Sequence, residues 1–62
     1  MELEELRALN NEIITDEQFD QIEEMEYVTI ENNGSSGLHI GRNWYTVYYE
    51  DDYIKEEFNV FL

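Results

Sequence analysis

The chain has 62 residues, of which 16 are Asp or Glu and three are Lys or Arg, giving a formal net charge of -13. This length corresponds to one domain. The charge argues against direct binding to nucleic acid or to an anionic membrane, because phosphate contacts require Lys and Arg. The absence of cysteine excludes disulfides and thiolate zinc sites.

A first helix is predicted over residues 3–13, because Leu6, Leu9 and Ile13 fall on one face at about 100° per residue. The acidic residues of this segment lie away from that face. The pair Asn10-Asn11 weakens the last turn, so the end of the helix is loosely defined.

A second helix is predicted over residues 16–25. Thr15 is a favourable N-cap, and Gln18 follows three residues later, as a capping box requires. Ile14 and Phe19 occupy the two positions of a hydrophobic staple. These signals together place the start of the helix at residue 16.

The polar side of the second helix is uniformly acidic. Its carboxylates repeat at i,i+3 and i,i+4, where each like-charged pair costs about 0.2–0.5 kcal/mol in an isolated helix. A helix selected only for stability would include lysines at such positions, and this one has none. A broken local rule often marks a functional surface, although an acidic face can also serve only to keep a protein dispersed. The residues concerned are Asp16, Glu17, Asp20, Glu23 and Glu24.

Strands are predicted over residues 27–31, 38–41 and 44–49, joined in antiparallel order by two hairpins. In the second of these, Leu38 and Ile40 would face the core. The tail, residues 53–62, fits either a strand or a short helix. The predicted fold is therefore α+β, with two N-terminal helices packed on a small antiparallel β-sheet of three to four strands.

No catalytic constellation is present, so an enzyme is not expected. His39, the single histidine, would point away from the core between two aliphatic residues and lacks a positioned partner for acid–base chemistry. Ser35 and Ser36 lie in a turn cluster, where serine is common. No phosphate-binding glycine loop occurs, so no cofactor is expected.

A specific metal site is not expected either. The densest group of carboxylates near the C-terminus lacks the loop spacing that gives an EF-hand its geometry. Its members are Asp51, Asp52, Glu56 and Glu57.

The strand over residues 44–49 is aromatic on both faces. Two helices can cover only one face of a small sheet, so Trp44 or Tyr48 is a candidate anchor for a partner. Tyrosine is also stable when half-buried with a hydrated hydroxyl group. The acidic turn Glu50-Asp51-Asp52 follows the strand and offers a second negatively charged patch.

A cytoplasmic location is expected. The N-terminus is acidic, whereas a secretory signal begins with basic residues. No apolar run approaches the roughly 20 residues of a membrane span.

Small size, high negative charge, absent cysteine and helix-then-sheet order resemble the small acidic inhibitors encoded by phages and mobile elements. These include anti-restriction and anti-CRISPR proteins and inhibitors of uracil-DNA glycosylase that mimic DNA. The resemblance implies an anti-defence inhibitor that occupies a basic surface of a DNA- or RNA-binding protein in the cytoplasm of a host cell. No sequence motif supports this resemblance, so it assigns no role to any individual residue.

A general interaction module or adaptor, binding through the aromatic sheet face, is the alternative, and a homodimer is left open. The candidate partner-binding residues are Asp16, Glu17, Asp20, Glu23, Glu24, Trp44, Tyr48, Glu50, Asp51 and Asp52.

Overall fold

Two short helices and a four-stranded sheet make up the fold, described for all 62 residues by a computed structural model. No helix is both long and apolar enough to cross a membrane. The fold is α+β, as predicted. The elements are α1 (Leu3–Ala8), β1 (Glu12–Ile13), α2 (Asp16–Glu23), β2 (Val28–Ser35), β3 (Asn43–Glu50) and β4 (Lys55–Phe61).

The sheet has the strand order β1-β4-β3-β2. Strand β3 pairs with both β2 and β4 in antiparallel orientation, whereas β1 runs parallel to β4. The prediction of a purely antiparallel sheet is therefore wrong at the β1 edge.

The short strand β1 arises because α1 ends earlier than predicted. Asn11 adopts a left-handed conformation with φ of 67°, which stops helical propagation. Its N–H donates to the carbonyl of Asn59 at 2.6 Å, and Ile14 N–H donates to the carbonyl of Phe61 at 2.8 Å. The segment predicted as the last turn of a helix thus becomes an edge of the sheet.

The predicted strand over residues 38–41 is absent, and β2 pairs directly with β3. The Ser36 hydroxyl accepts the N–H groups of Leu38 and His39, both at 3.2 Å. Local side-chain bonds of this kind compete with strand pairing. The Ser36 N–H donates to the Arg42 carbonyl at 2.8 Å and closes a loop over residues 36–42.

The tail forms a strand, β4, which resolves the alternative left by the sequence. It pairs with β3 from Trp44↔Phe61 to Glu50↔Lys55. The intervening turn is stabilised by Asp51, whose Oδ1 accepts the N–H groups of Tyr53 and Ile54 at 2.8 and 2.7 Å.

Both helices lie on one face of the sheet, here called the helix face. Phe19 of α2 contacts Tyr45 of β3, with ring centroids 4.9 Å apart. Because side chains alternate along a strand, Trp44, Thr46 and Tyr48 of β3 project from the opposite face, here called the open face. The buried core beneath the helices contains Leu6, Ile14, Ile22, Val47, Phe58 and Val60.

Candidate functional site

Helix α2 presents an array of carboxylates whose start is fixed by local hydrogen bonds. Thr15 Oγ1 accepts the Gln18 N–H at 3.1 Å, and Gln18 Oε1 accepts the Thr15 N–H at 2.9 Å. Ile22 is fully buried and holds the opposite side of the helix on the core. Neighbouring positions on the solvent side have Cβ atoms about 5–6 Å apart. We call the five exposed residues the α2 acidic surface: Asp16, Glu17, Asp20, Glu23 and Glu24.

No basic side chain neutralises the α2 acidic surface. The single ion pair of the protein joins Arg7 to Glu56. The other two cations, Arg42 and Lys55, are exposed and form no ion pair. The negative charge of α2 therefore faces solvent uncompensated.

The acidic turn after β3 lies beside the C-terminal end of α2. The Glu50 N–H donates to the carbonyl of Tyr27 at 3.0 Å, and Tyr27 is three residues beyond Glu24. Glu50 and Asp52 are exposed. The acidic turn and the C-terminal end of α2 thus lie at the same end of the molecule.

Asp51 differs from its two neighbours because its carboxylate is used within the fold. Its Oδ1 accepts the N–H groups of Tyr53 and Ile54, and its Oδ2 accepts the Tyr49 hydroxyl at 3.1 Å. The two backbone hydrogen bonds hold the pKa of Asp51 below its usual value. Asp51 shapes the turn that displays Glu50 and Asp52.

Tyr48 lies on the open face beside two carboxylates that the sequence did not connect with it. Its hydroxyl donates to Glu31 Oε2 at 3.1 Å, which raises the pKa of Tyr48, as do burial and the negative charges of Glu31 and Glu57. Glu57 is its cross-strand partner on β4. Strand alternation would have placed both glutamates near Tyr48 had the register been known.

An open groove of about 590 Å³ connects Tyr48 with the acidic turn. Tyr27, Glu50 and Asp52 line it as well. The structure therefore brings one predicted aromatic anchor, Tyr48, next to one predicted acidic patch.

Trp44 is not part of that groove. It lies four positions from Tyr48 along β3, which corresponds to about 13 Å. Between the two, Asn33 donates to Thr46 Oγ1 at 2.8 Å, and Thr46 donates to Asn59 at 3.2 Å. The two aromatic candidates are separated by these polar contacts and belong to different surfaces.

His39 does not point away from the protein as predicted. Its ring packs edge-on against Phe61 with centroids 4.6 Å apart, while Leu38 and Ile40 are exposed. The prediction was wrong because it assumed a strand with both aliphatic residues on the core side. No cluster of three or more His, Cys, Asp or Glu side chains is arranged to hold a metal ion.

Comparison with known protein families, with curated proteins and with solved structures finds no match to this chain.

Proposed function

We propose that this protein is a stoichiometric inhibitor that binds a basic surface of a nucleic-acid-acting protein by mimicking DNA. The observation that carries the proposal is the α2 acidic surface, with five exposed carboxylates and no ion pair. Like-charged neighbours on a helix cost stability, and no ion pair within the fold offsets that cost. An external cationic partner would offset it.

The dimensions of α2 suit this role. Its eight residues span about 12 Å at 1.5 Å per residue. One DNA strand places a phosphate about every 3.4 Å along the axis, so the helix covers the rise of roughly three to four nucleotides. Glu50 and Asp52 form a second exposed acidic patch near the C-terminal end of the helix.

Electrostatic steering supports the same proposal. Opposite charges can raise association rates to about 10⁸–10⁹ M⁻¹s⁻¹ at low salt. A chain with net charge -13 attracts any protein that carries a DNA-binding groove. Lys and Arg side chains placed for phosphates would meet the carboxylates of α2 instead.

A general interaction module is the second candidate, favoured by the open face of the sheet. Neither helix covers this face, and Trp44 and Tyr48 are only partly buried there. Apolar recognition through these rings would depend weakly on salt, whereas DNA mimicry depends on it strongly.

Retention of DNA-binding proteins on the immobilised chain tests the first proposal. We expect bacterial DNA-binding proteins to be retained at low salt, to elute as salt rises, and to be displaced by duplex DNA. The variant Asp20→Asn/Glu23→Gln/Glu24→Gln should lose this retention while remaining folded. Retention that resists both salt and duplex DNA would favour the module instead.

A matched control variant distinguishes the effect of where the carboxylates lie from the effect of the total net charge. Neutralising Glu2, Glu4 and Glu5 of the α1 region with Gln removes the same three charges, and Gln can still complete the capping box there. We expect this control to retain partners nearly as well as the parent chain. Equal losses in both variants would contradict a specific role of α2.

A further inference from the structure

The negative charge is absent from one continuous part of the chain. Residues 32–49 contain no Asp or Glu, so all 16 carboxylates lie in the remaining residues. This acid-free segment includes the loop over residues 36–42 and most of β3. Its charged groups are limited to Arg42 and the titratable His39.

The loop over residues 36–42 is held in shape and displays two aliphatic side chains to solvent. Ser36 anchors it through the bonds to Leu38, His39 and Arg42 described above. Arg42 N–H donates to the His39 carbonyl at 3.1 Å, with Gly41 at φ of 83° in the turn. The exposed fractions are 80% for Leu38 and 98% for Ile40.

A pocket of about 360 Å³ opens beside this loop. Leu38, Trp44 and Phe61 provide its apolar lining. Ile13 pairs with Phe61 across β1 and β4 and is 46% exposed, so it extends the apolar surface. We call these residues and Ile40 the apolar end.

We propose that the apolar end is a self-association surface whose occupant is a second copy of this chain. Two molecules of net charge -13 repel each other wherever carboxylates meet. The acid-free segment lets them approach with less of that repulsion, since Glu12, beside Ile13, is the carboxylate that directly adjoins the apolar end. A basic partner gains nothing there, because the segment has no carboxylate and carries Arg42.

The distance along β3 supports this arrangement. Its eight residues place the exposed Glu50 about 23–26 Å from the loop, at about 3.3 Å per residue. That separation exceeds the Debye length of about 8 Å at physiological salt. Two copies joined at their apolar ends therefore keep their acidic turns apart.

A two-fold dimer satisfies the geometry, because each copy contributes both a protrusion and a recess. In that dimer Ile40 of one copy enters the pocket lined by Leu38, Trp44 and Phe61 in the other. A standard interface buries about 800 Å² per partner, against a total accessible surface of 4374 Å² for this chain. The apolar end has five residues, against about 20–30 on each side of a standard interface, so we expect a weak dimer that forms at high concentration.

Sedimentation equilibrium tests the proposal on the intact chain. We expect the dimer fraction to grow between about 10 μM and about 1 mM, the range of weak complexes. Raising salt from about 0.1 M to about 1 M shortens the Debye length from about 10 Å to about 3 Å. The dimer should then be unchanged or stronger, the opposite of partner binding through α2. A chain that stays monomeric throughout, or a dimer that weakens with salt, overturns the proposal.

Variants locate the contact. The double variant Leu38→Asp/Ile40→Asp changes two exposed positions. It should raise the dissociation constant of the dimer by roughly tenfold or more. Tyr53→Asp, at a residue that is 95% exposed and directly follows the acidic turn, should leave the dissociation constant unchanged. Self-association of the Leu38/Ile40 variant at the parent level overturns the proposal. Retention of DNA-binding proteins by the same variant reports separately on the proposed function, so either idea can fail without the other.

Discussion

Arg7 of α1 donates from Nε to both carboxylate oxygens of Glu56 on β4, at 3.0 and 3.2 Å, across 49 positions of sequence. This pair attaches α1 to the sheet. Its hydrogen bond is the main cause that raises the pKa of Arg7 and lowers the pKa of Glu56. Of the 16 Asp and Glu side chains, only Glu56 forms an ion pair.

The coupling between Arg7 and Glu56 should disappear in acid. A lowered folded-state pKa stabilises the fold above the unfolded value, about 4.3 for Glu, and this contribution is lost as pH falls through the folded pKa. A double-mutant cycle with Arg7→Gln and Glu56→Gln, measured by urea unfolding, should show favourable coupling at neutral pH and none in acid. Coupling that is equal at both pH values would contradict the ion pair.

Replacement of Thr15 should weaken the start of α2. Thr15→Ala removes the acceptor for the Gln18 N–H and should lower the free energy of unfolding by about 1 kcal/mol. Gln18→Ala removes the reciprocal bond to the Thr15 N–H. In urea unfolding, the double variant should lose less than the sum of the two single losses. Strict additivity would show that the two bonds are independent.

Truncation of Ile22 should nearly unfold the domain. Ile22 is 0% exposed in the core, and Ile→Ala at such a site costs about 2–5 kcal/mol. A chain of this length has a total stability of about 3–9 kcal/mol. Circular dichroism should show a large fall in the unfolding midpoint for Ile22→Ala. Ile22→Val, the matched control, should cost only about 0.5–1.5 kcal/mol, and similar losses in both would argue against tight packing there.

The phenol of Tyr48 should report on Glu31. The hydrogen bond to Glu31 is the largest cause of the raised pKa of Tyr48. Glu31→Gln should therefore bring that pKa closer to the usual value of about 10. Glu57→Gln removes a charge that acts without a hydrogen bond and should have a smaller effect. NMR titration of the Tyr48 ring carbon measures both. An unchanged titration in Glu31→Gln would mean that the bond does not form in solution.

Local chemistry explains which elements the sequence predicts well. The capping box of α2 involves only Thr15 and Gln18, three residues apart, and it forms as expected. The two helices were placed correctly in order, although each ends earlier than predicted. The α2 acidic surface followed from helical periodicity, since that periodicity determines which side chains share a face.

Long-range and competing contacts explain the errors. The alternation Leu38-His39-Ile40 is typical of a strand, but the Ser36 hydroxyl binds the same backbone N–H groups. Strand β1 depends on the carbonyls of Asn59 and Phe61, nearly 50 residues away, which no local pattern reveals. Helical periodicity alone assigned that segment to α1.

The same limit applies to the open face. Glu31 and Glu57 surround Tyr48 only because β2 and β4 pair with β3 in one particular register. A shift of one residue would move every side chain to the other face. The proximity of Glu31 and Glu57 to Tyr48 therefore follows from the three-dimensional structure and not from the sequence pattern.

Strand β2 forms one border of the sheet, with no further strand beside it. Such a border can template the growth of fibrils, and natural proteins protect it with charged side chains. Glu31 lies in the middle of β2 and would meet another Glu31 in a symmetric strand-to-strand contact. Repulsion between the two Glu31 carboxylates would oppose that contact, so we expect strand-to-strand association to become easier in strong acid, where Glu31 is protonated.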